Sequence, residues 1–255
     1  MAVERAHEPA FTLRHRRHFV GRLVTLAGFT GAALALTTVR LPLQGSVSHT
    51  ASATGERRLV HLPDGSELLL NARSRADVRS RPGHHEVHLL AGSVSLRAAP
   101  VVKHPLVVVT EQGTVTGSGA HFMVRQEPGR TLAVALRQDV QIALHAGATQ
   151  RLAAGSGVRF DHRFIDGPRV DLLDEAAWQT GVIQVSARPL LHVINALRPY
   201  HPGVLRISNA AGALIVTGRF ALDDVDQTLK RLDAGLPIVV RTLTPWMTWI
   251  DMAST

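Results

Sequence analysis

The chain has no cysteine, which removes disulfide scaffolds, thiolate metal sites and thiol nucleophiles at once. Aromatic residues make up only 4%, with a single tyrosine, and no basic run has aromatics interleaved with it. A single-strand nucleic-acid binder needs such stacking faces, so the net charge of +8 does not point to nucleic acid. It fits better with an acidic protein partner or an anionic envelope surface. Long apolar runs are also missing, with one exception near the N-terminus. The apolar fraction of 45% is enough to build real cores, so the chain as a whole is not expected to be disordered.

The exception is residues 19–39, which carry no charge from Leu23 to Val39 and whose polar members are threonines. About 20 helical residues cross a hydrocarbon core of roughly 30 Å, and Arg22 and Arg40 flank the run where they can snorkel outward. Arginines 5, 14, 16, 17 and 22 precede it, whereas only Arg40 follows before Glu56, so the N-terminus is expected inside and the body exported. Two other readings stay open. One is a cleaved signal with Ala33-Leu34-Ala35 as a small-residue cleavage site, leaving a periplasmic body; the other is a buried core helix. The expected division is a basic tail over 1–18, a transmembrane helix over 19–39, a linker over 40–55, a β-rich unit over 56–165 and an α+β module over 176–252.

The β-rich unit is expected from its punctuation. Pro63-Asp64-Gly65-Ser66 is a turn between Arg58–Leu62 and Glu67–Asn71, with Asp64 structural rather than catalytic. Short strands then recur between Gly83, Gly92, Gly113, Gly129 and Gly147, leaving no room for crossover helices. The expected fold is mainly β, sandwich- or solenoid-like, with residues 153–175 as a transition. Past Glu175, a strand from Trp178 leads to a helix with Leu190, Val193, Ile194 and Leu197 at i, i+3, i+4 and i+7. Strands at 204–208 and 214–219, a helix at 222–232 and strands at 238–243 and 246–250 complete a β-α-β, β-α-β pattern.

Signals of catalysis are weak. His84, Glu86 and His88 share one face of a strand while His85 opposes them, and no second cluster completes a coordination sphere. Gly117-Ser118-Gly119 lacks the context of a phosphate loop or a nucleophile elbow. No metal, cofactor or catalytic residue is assigned, and the chain is read as a non-enzyme.

The order of motifs carries a resemblance. Gly55-Glu56-Arg57, then Val60-x-Leu62-Pro63-Asp64-Gly65-Ser66 and Leu70-Asn71, resembles the opening of the FecR domain. The likeness runs through Val87-x-Leu89-x-x-Gly92, Pro105-Leu106-x-Val108, and Val115 to Gly119-Ala120-His121-Phe122-Met123-Val124-Arg125, with Ala120 where the family usually has threonine. Trp178-x-x-Gly181, Pro189-Leu190, Arg198-Pro199-Tyr200, Thr217-Gly218-x-Phe220 and Leu229-x-x-Leu232 extend it to about residue 250. The resemblance implies a single-pass inner-membrane regulator of cell-surface signalling. In that family the body couples a TonB-dependent siderophore transducer to an extracytoplasmic-function sigma factor, and it acts as an anti-sigma factor in transcription regulation. It implies a C-terminal module similar to the short secretin/TonB signalling fold, which docks onto the transducer's periplasmic signalling domain. The usual N-terminal sigma-binding domain has no counterpart in the few residues before Phe19, so either Met1 lies downstream of the true start or that arm is lost. Exposed candidates for partner binding are Arg198, Tyr200, Arg219 and Asp223. The different reading kept beside this one is a non-enzymatic envelope-binding β module without sigma-factor regulation.

Overall fold

The computed structural model describes residues 36–40, 47–81, 83–100, 104–244 and 246–253, all within one compact unit. The first fourteen strands are β1 (Leu36–Arg40), β2 (Val47–Ala51), β3 (Arg57–His61), β4 (Glu67–Leu70), β5 (Arg75–Arg81), β6 (His84–Ala91), β7 (Ser93–Arg97), β8 (Pro105–Val109), β9 (Gly113–Ser118), β10 (His121–Glu127), β11 (Arg130–Arg137), β12 (Val140–Leu144), β13 (Thr149–Leu152) and β14 (Ser156–Phe160). They form two seven-stranded sheets, ordered β1-β3-β4-β7-β10-β11-β14 and β13-β12-β9-β8-β6-β5-β2. Pairing is antiparallel except for β1 with β3 and β6 with β8. The mainly β architecture expected from the turns is therefore present as two facing sheets.

Alternation along the strands decides what each face buries. Val60, Leu68, Leu70, Val94, Leu96 and Phe122 of the first sheet meet Val78, Val87, Leu106, Val108, Val115 and Ile142 of the second in one core. On β10 and β11 both faces are covered. Phe122, Val124, Ala133 and Ala135 point into that core, while Met123, Leu132 and Val134 belong to a second one.

The second core is filled from the C-terminal third. A 3-10 helix (Val170–Thr180) lies on β11 and β14. It can approach so closely because position 157 is glycine: a Cβ there would stand 2.6 Å from Leu172 Cβ. Then come β15 (Val182–Pro189), α1 (Leu190–Leu197), a 3-10 turn (Arg198–Tyr200), β16 (Val204–Ile207), α2 (Asn209–Gly212), β17 (Ile215–Ala221), α3 (Val225–Gly235), β18 (Ile238–Thr244) and β19 (Met247–Met252). β15 pairs with β17, while β19 lies between parallel β16 and antiparallel β18. Leu190, Val193, Ile194 and Leu197, the periodic set of α1, are all buried with Trp178, Leu229 and Leu232 against Met123, Leu132 and Val134.

Four expectations are corrected here. Leu36–Arg40, expected to end a transmembrane helix, is a strand in register with Arg57–His61; Thr37, Thr38 and Val39 are β-branched, which favours a strand. Phe19–Ala35, together with Arg22, lie outside the described residues. Among the described residues no helix is long and apolar enough to cross a membrane. Val47–Ala51, expected in a linker, is the edge strand of the second sheet, paired with Arg75–Arg79. Trp178, expected in a strand, lies in the last turn of the 3-10 helix, because Gly181 (φ 77°) turns the chain in a left-handed cap before β15 begins. The helix expected from Leu222 starts at Val225, where the Asp224 carboxylate accepts the Gln227 N–H at 2.8 Å.

Candidate functional site

The Pro63-Asp64-Gly65-Ser66 turn forms as the residue types require. Asp64 accepts the Ser66 N–H at 2.9 Å and its hydroxyl at 3.0 Å, and Gly65 takes φ 84°. Asp64 also meets His85 Nε2 of the facing sheet at 3.2 Å, so its role is to lock a turn onto a neighbour. Leu62 and Phe122 are buried in the inter-sheet core, and Gly119 (φ 61°) makes the turn between β9 and β10. Gly218 and Phe220 lie on β17, with Phe220 packed at the margin of the second core.

Five motif residues, Gly55, Arg57, Asn71, Gly181 and Tyr200, meet in one place, where β3 and the segment after β4 touch the C-terminal third. Arg57, 3% exposed, holds Asp223 with both nitrogens, at 2.9 and 3.0 Å, and lies 5.9 Å above the Tyr200 ring. The Tyr200 hydroxyl donates to Asn71 Oδ1, which also accepts the Ala72 N–H at 2.9 Å. Burial pushes the Tyr200 phenol up to about 12, against the pull of the Arg57 charge. The Gly55 N–H donates to Pro199 O at 3.1 Å, and Arg73 Nη2 donates to His201 O at 3.0 Å. Gly181 passes through the middle: a Cβ there would lie 2.6 Å from Asp223 Oδ2 and 3.0 Å from Arg57.

A second charged cluster lies beside the first, around a cleft of about 510 Å³ lined in part by Asn71, Arg125, Glu175, Trp178, His192 and Tyr200. Glu175 is buried on the 3-10 helix and meets Arg125 Nη1 of β10 at 2.8 Å, Arg159 Nη2 of β14 at 3.4 Å and His192 of α1 at 3.6 Å. Burial alone would raise the Glu175 pKa, but Arg125, His192 and Arg159 hold it below the ordinary carboxylate range. His192 is pushed down by its own burial. Every charge in this cluster has a counter-charge, so its chemistry is that of a clamp between sheet and helix.

The exposed candidates from the sequence separate here. Arg198 is exposed at the C-terminal end of α1, bonded to Asn195 Oδ1 at 2.6 Å, and Arg219 is exposed on β17. Tyr200 and Asp223 are corrected: the first is buried and the second is tied to Arg57, so neither offers a free contact surface. His84, Glu86 and His88 do share the outer face of β6, with His85 turned inward. Among the described residues no group of three or more histidines and carboxylates is placed to hold a metal. A further face lies on β16, β18 and β19, where Val204, Met247 and Trp249 are exposed beside Trp246. Its signal was present, since Trp246 and Trp249 are two of only three tryptophans in the chain.

Residues 48–141 match the sequence profile of the family described as FecR protein. That stretch holds the Leu62–Ser66 turn, Asn71, Gly119 and Phe122. No curated protein matches the chain at a significant level. Two crystal structures, each described as a "putative anti-sigma factor" from Parabacteroides distasonis, share the fold. One, at 18% identity, has a TM-score of 0.68 and covers 82% of this chain and 100% of its own. The other, at 19% identity, has a TM-score of 0.66 and covers 81% and 100%.

Proposed function

We propose that this chain is a regulator of the anti-sigma kind, a FecR-like sensor whose body receives the state of a TonB-dependent siderophore transducer in the periplasm and controls an extracytoplasmic-function sigma factor. The observation that carries the reading is the FecR match over residues 48–141, on a fold shared with the Parabacteroides protein over four fifths of the chain. In this reading the role is regulatory, not catalytic, and the apolar residues before Leu36 hold the protein at the inner membrane with its N-terminus cytoplasmic. The module from β15 to β19 is the receiving part, similar to the short secretin/TonB signalling fold, and Arg198 and Arg219 are its exposed candidate contacts. The packing supports a single relay body: Arg57 with Asp223, Tyr200 with Asn71 and the Glu175 cluster join this module to the sheets.

The test is binding of the purified chain to the periplasmic signalling domains of the TonB-dependent transducers of the same cell. The whole chain is needed, because Met123, Leu132 and Val134 share a core with Trp178 and Leu190, and a fragment starting at 176 would expose it. The expected result is a Kd of about 1 μM or below for one domain and none for its paralogues. Failure to bind any of them overturns the reading and leaves an envelope-binding β module that shares only the fold.

A further inference from the structure

We infer that the outer face of the β16–β19–β18 sheet is a docking surface for a protein segment that carries carboxylates on either side of an apolar side chain. The inference rests on the sensor reading above and names the surface that such a partner would use. Along β19, Thr248 and Ile250 are buried, while Met247, Trp249 and Asp251 face outward. Cross-strand register puts Arg206 of β16 and Arg241 of β18 opposite Trp249, one on each side, and Val204 opposite Met247. Both arginines are exposed, and Arg206 has no ion pair or side-chain hydrogen bond among the described residues. Trp246, 69% exposed, stands at the hairpin end of the same sheet, where its carbonyl accepts the Val204 N–H at 2.7 Å.

Tryptophan, methionine and arginine are the side chains that concentrate binding energy at protein interfaces, and a monomer gains nothing by leaving them together in water. The row Arg206–Trp249–Arg241 sets an indole between two guanidiniums, so its complement is an apolar group between two carboxylates. Asp251 lies on the same face beyond Trp249, where it accepts the Trp249 indole N–H at 3.5 Å and the Met252 N–H at 2.8 Å. The charge on this face is patterned, two arginines about the indole and one carboxylate beyond it, and a protein segment can match that pattern group for group. The partner lies across the face and does not extend the sheet along β18, because the Val240 N–H on that edge is already taken by Asp233 at 2.7 Å.

The test titrates the full chain with each transducer signalling domain. It adds an eight-residue peptide alternating Glu and Val, its Lys/Val counterpart, and phosphatidylglycerol/phosphatidylcholine vesicles. Trp249→Ala and the double variant Arg206→Glu/Arg241→Glu are compared with wild type and with Leu90→Ala, an exposed site elsewhere. Expected is binding of one signalling domain that each face variant weakens by about tenfold or more, with Leu90→Ala within about twofold. Should Trp249→Ala fail to fold, the exposed arginine pair carries the test alone. Domain binding that survives both variants overturns this surface and leaves the sensor reading intact. No domain binding, but Glu/Val peptide binding lost in the face variants, supports the surface and sinks the transducer. Binding of neither overturns the surface, as does a preference for the Lys/Val peptide or for vesicles that the variants abolish.

Discussion

Replacing Asp223 by alanine should cost the body about 2–3 kcal/mol of stability. Removing one partner of a buried ion pair typically costs about 3–5 kcal/mol, because the other charge is left uncompensated in a poor solvent. Here the figure is discounted, since the Asp223 side chain is 21% exposed and water can reach its end of the pair. The Arg57 end cannot be rescued in the same way. It is 3% exposed, with the Tyr200 ring on one side and the Gly181 backbone on another. Urea unfolding followed by tryptophan fluorescence is the assay, because Trp178 is 5% exposed in the adjoining core and responds when the junction opens. The pair is isolated by a cycle with Arg57→Met. Asp223→Ala/Arg57→Met should be more stable than Asp223→Ala alone, since the stranded guanidinium is gone. A loss below about 0.5 kcal/mol for Asp223→Ala, or no difference between single and double variant, would refute the claim that this contact locks the junction.

Acid should destabilise the chain from about the ordinary histidine value of 6.5 downward. Burial holds His85, His121 and His192 below it, so the unfolded chain takes up protons first and stability rises with pH across that window; Tm measured at about pH 7.5 and 5.5 reads the sign. Glu175 adds in the same direction at lower pH: its depressed pKa contributes stability above the unfolded value of 4.5 that is lost as pH falls through the folded one. The chain's single tyrosine makes Tyr200 directly visible, so phenolate absorbance should stay absent until about pH 12 or until the fold opens. Tyr200→Phe should cost only about 1 kcal/mol, because Asn71 keeps the Ala72 N–H, and urea unfolding would show it. Gly157→Ala should cost about 1–3 kcal/mol in the same assay, since its methyl would meet Leu172 Cβ at 2.6 Å.

Local pattern made much of the fold legible. The Asp64-Gly65 turn, the glycine-punctuated strands and α1 each follow from residues within one turn or one strand of each other, and each forms where its pattern lies. Failures came where a local pattern was outvoted by a distant partner. Ala153–Ser156 has the small-residue texture of a loop, yet Ser156–Phe160 completes the first sheet because β11 supplies its hydrogen bonds. Val47–Ala51 has the texture of a linker and is a strand for the same reason, with β5 as its partner. Asp223 and Tyr200 look like surface residues beside Asp224 and Arg198. They are tied down by Arg57 and Asn71, which lie 166 and 129 positions away in the chain, and no periodicity reaches that far.

That convergence changes what the motif residues are for. Gly55, Arg57, Asn71, Gly181 and Tyr200 come from both ends of the body, and they are spent on one another: an ion pair, a hydroxyl on an amide, a backbone bond and a glycine through which the chain can pass. A residue already engaged in this way has little left for a partner, so these five hold the two parts together and leave direct contact to others. Recognition has to come from groups the fold leaves unspent. On the C-terminal module these include Arg198 and Arg219 and, in the face inferred above, Trp249 with Arg206 and Arg241 beside it. A lock built from these five residues and a contact face built from others would let related proteins keep one body while each reads a different partner. Asp223→Ala should therefore loosen the body without altering which partner it prefers. Arg206→Glu/Arg241→Glu should change the preference at unchanged stability, and binding and unfolding measured on the same two variants separate the roles.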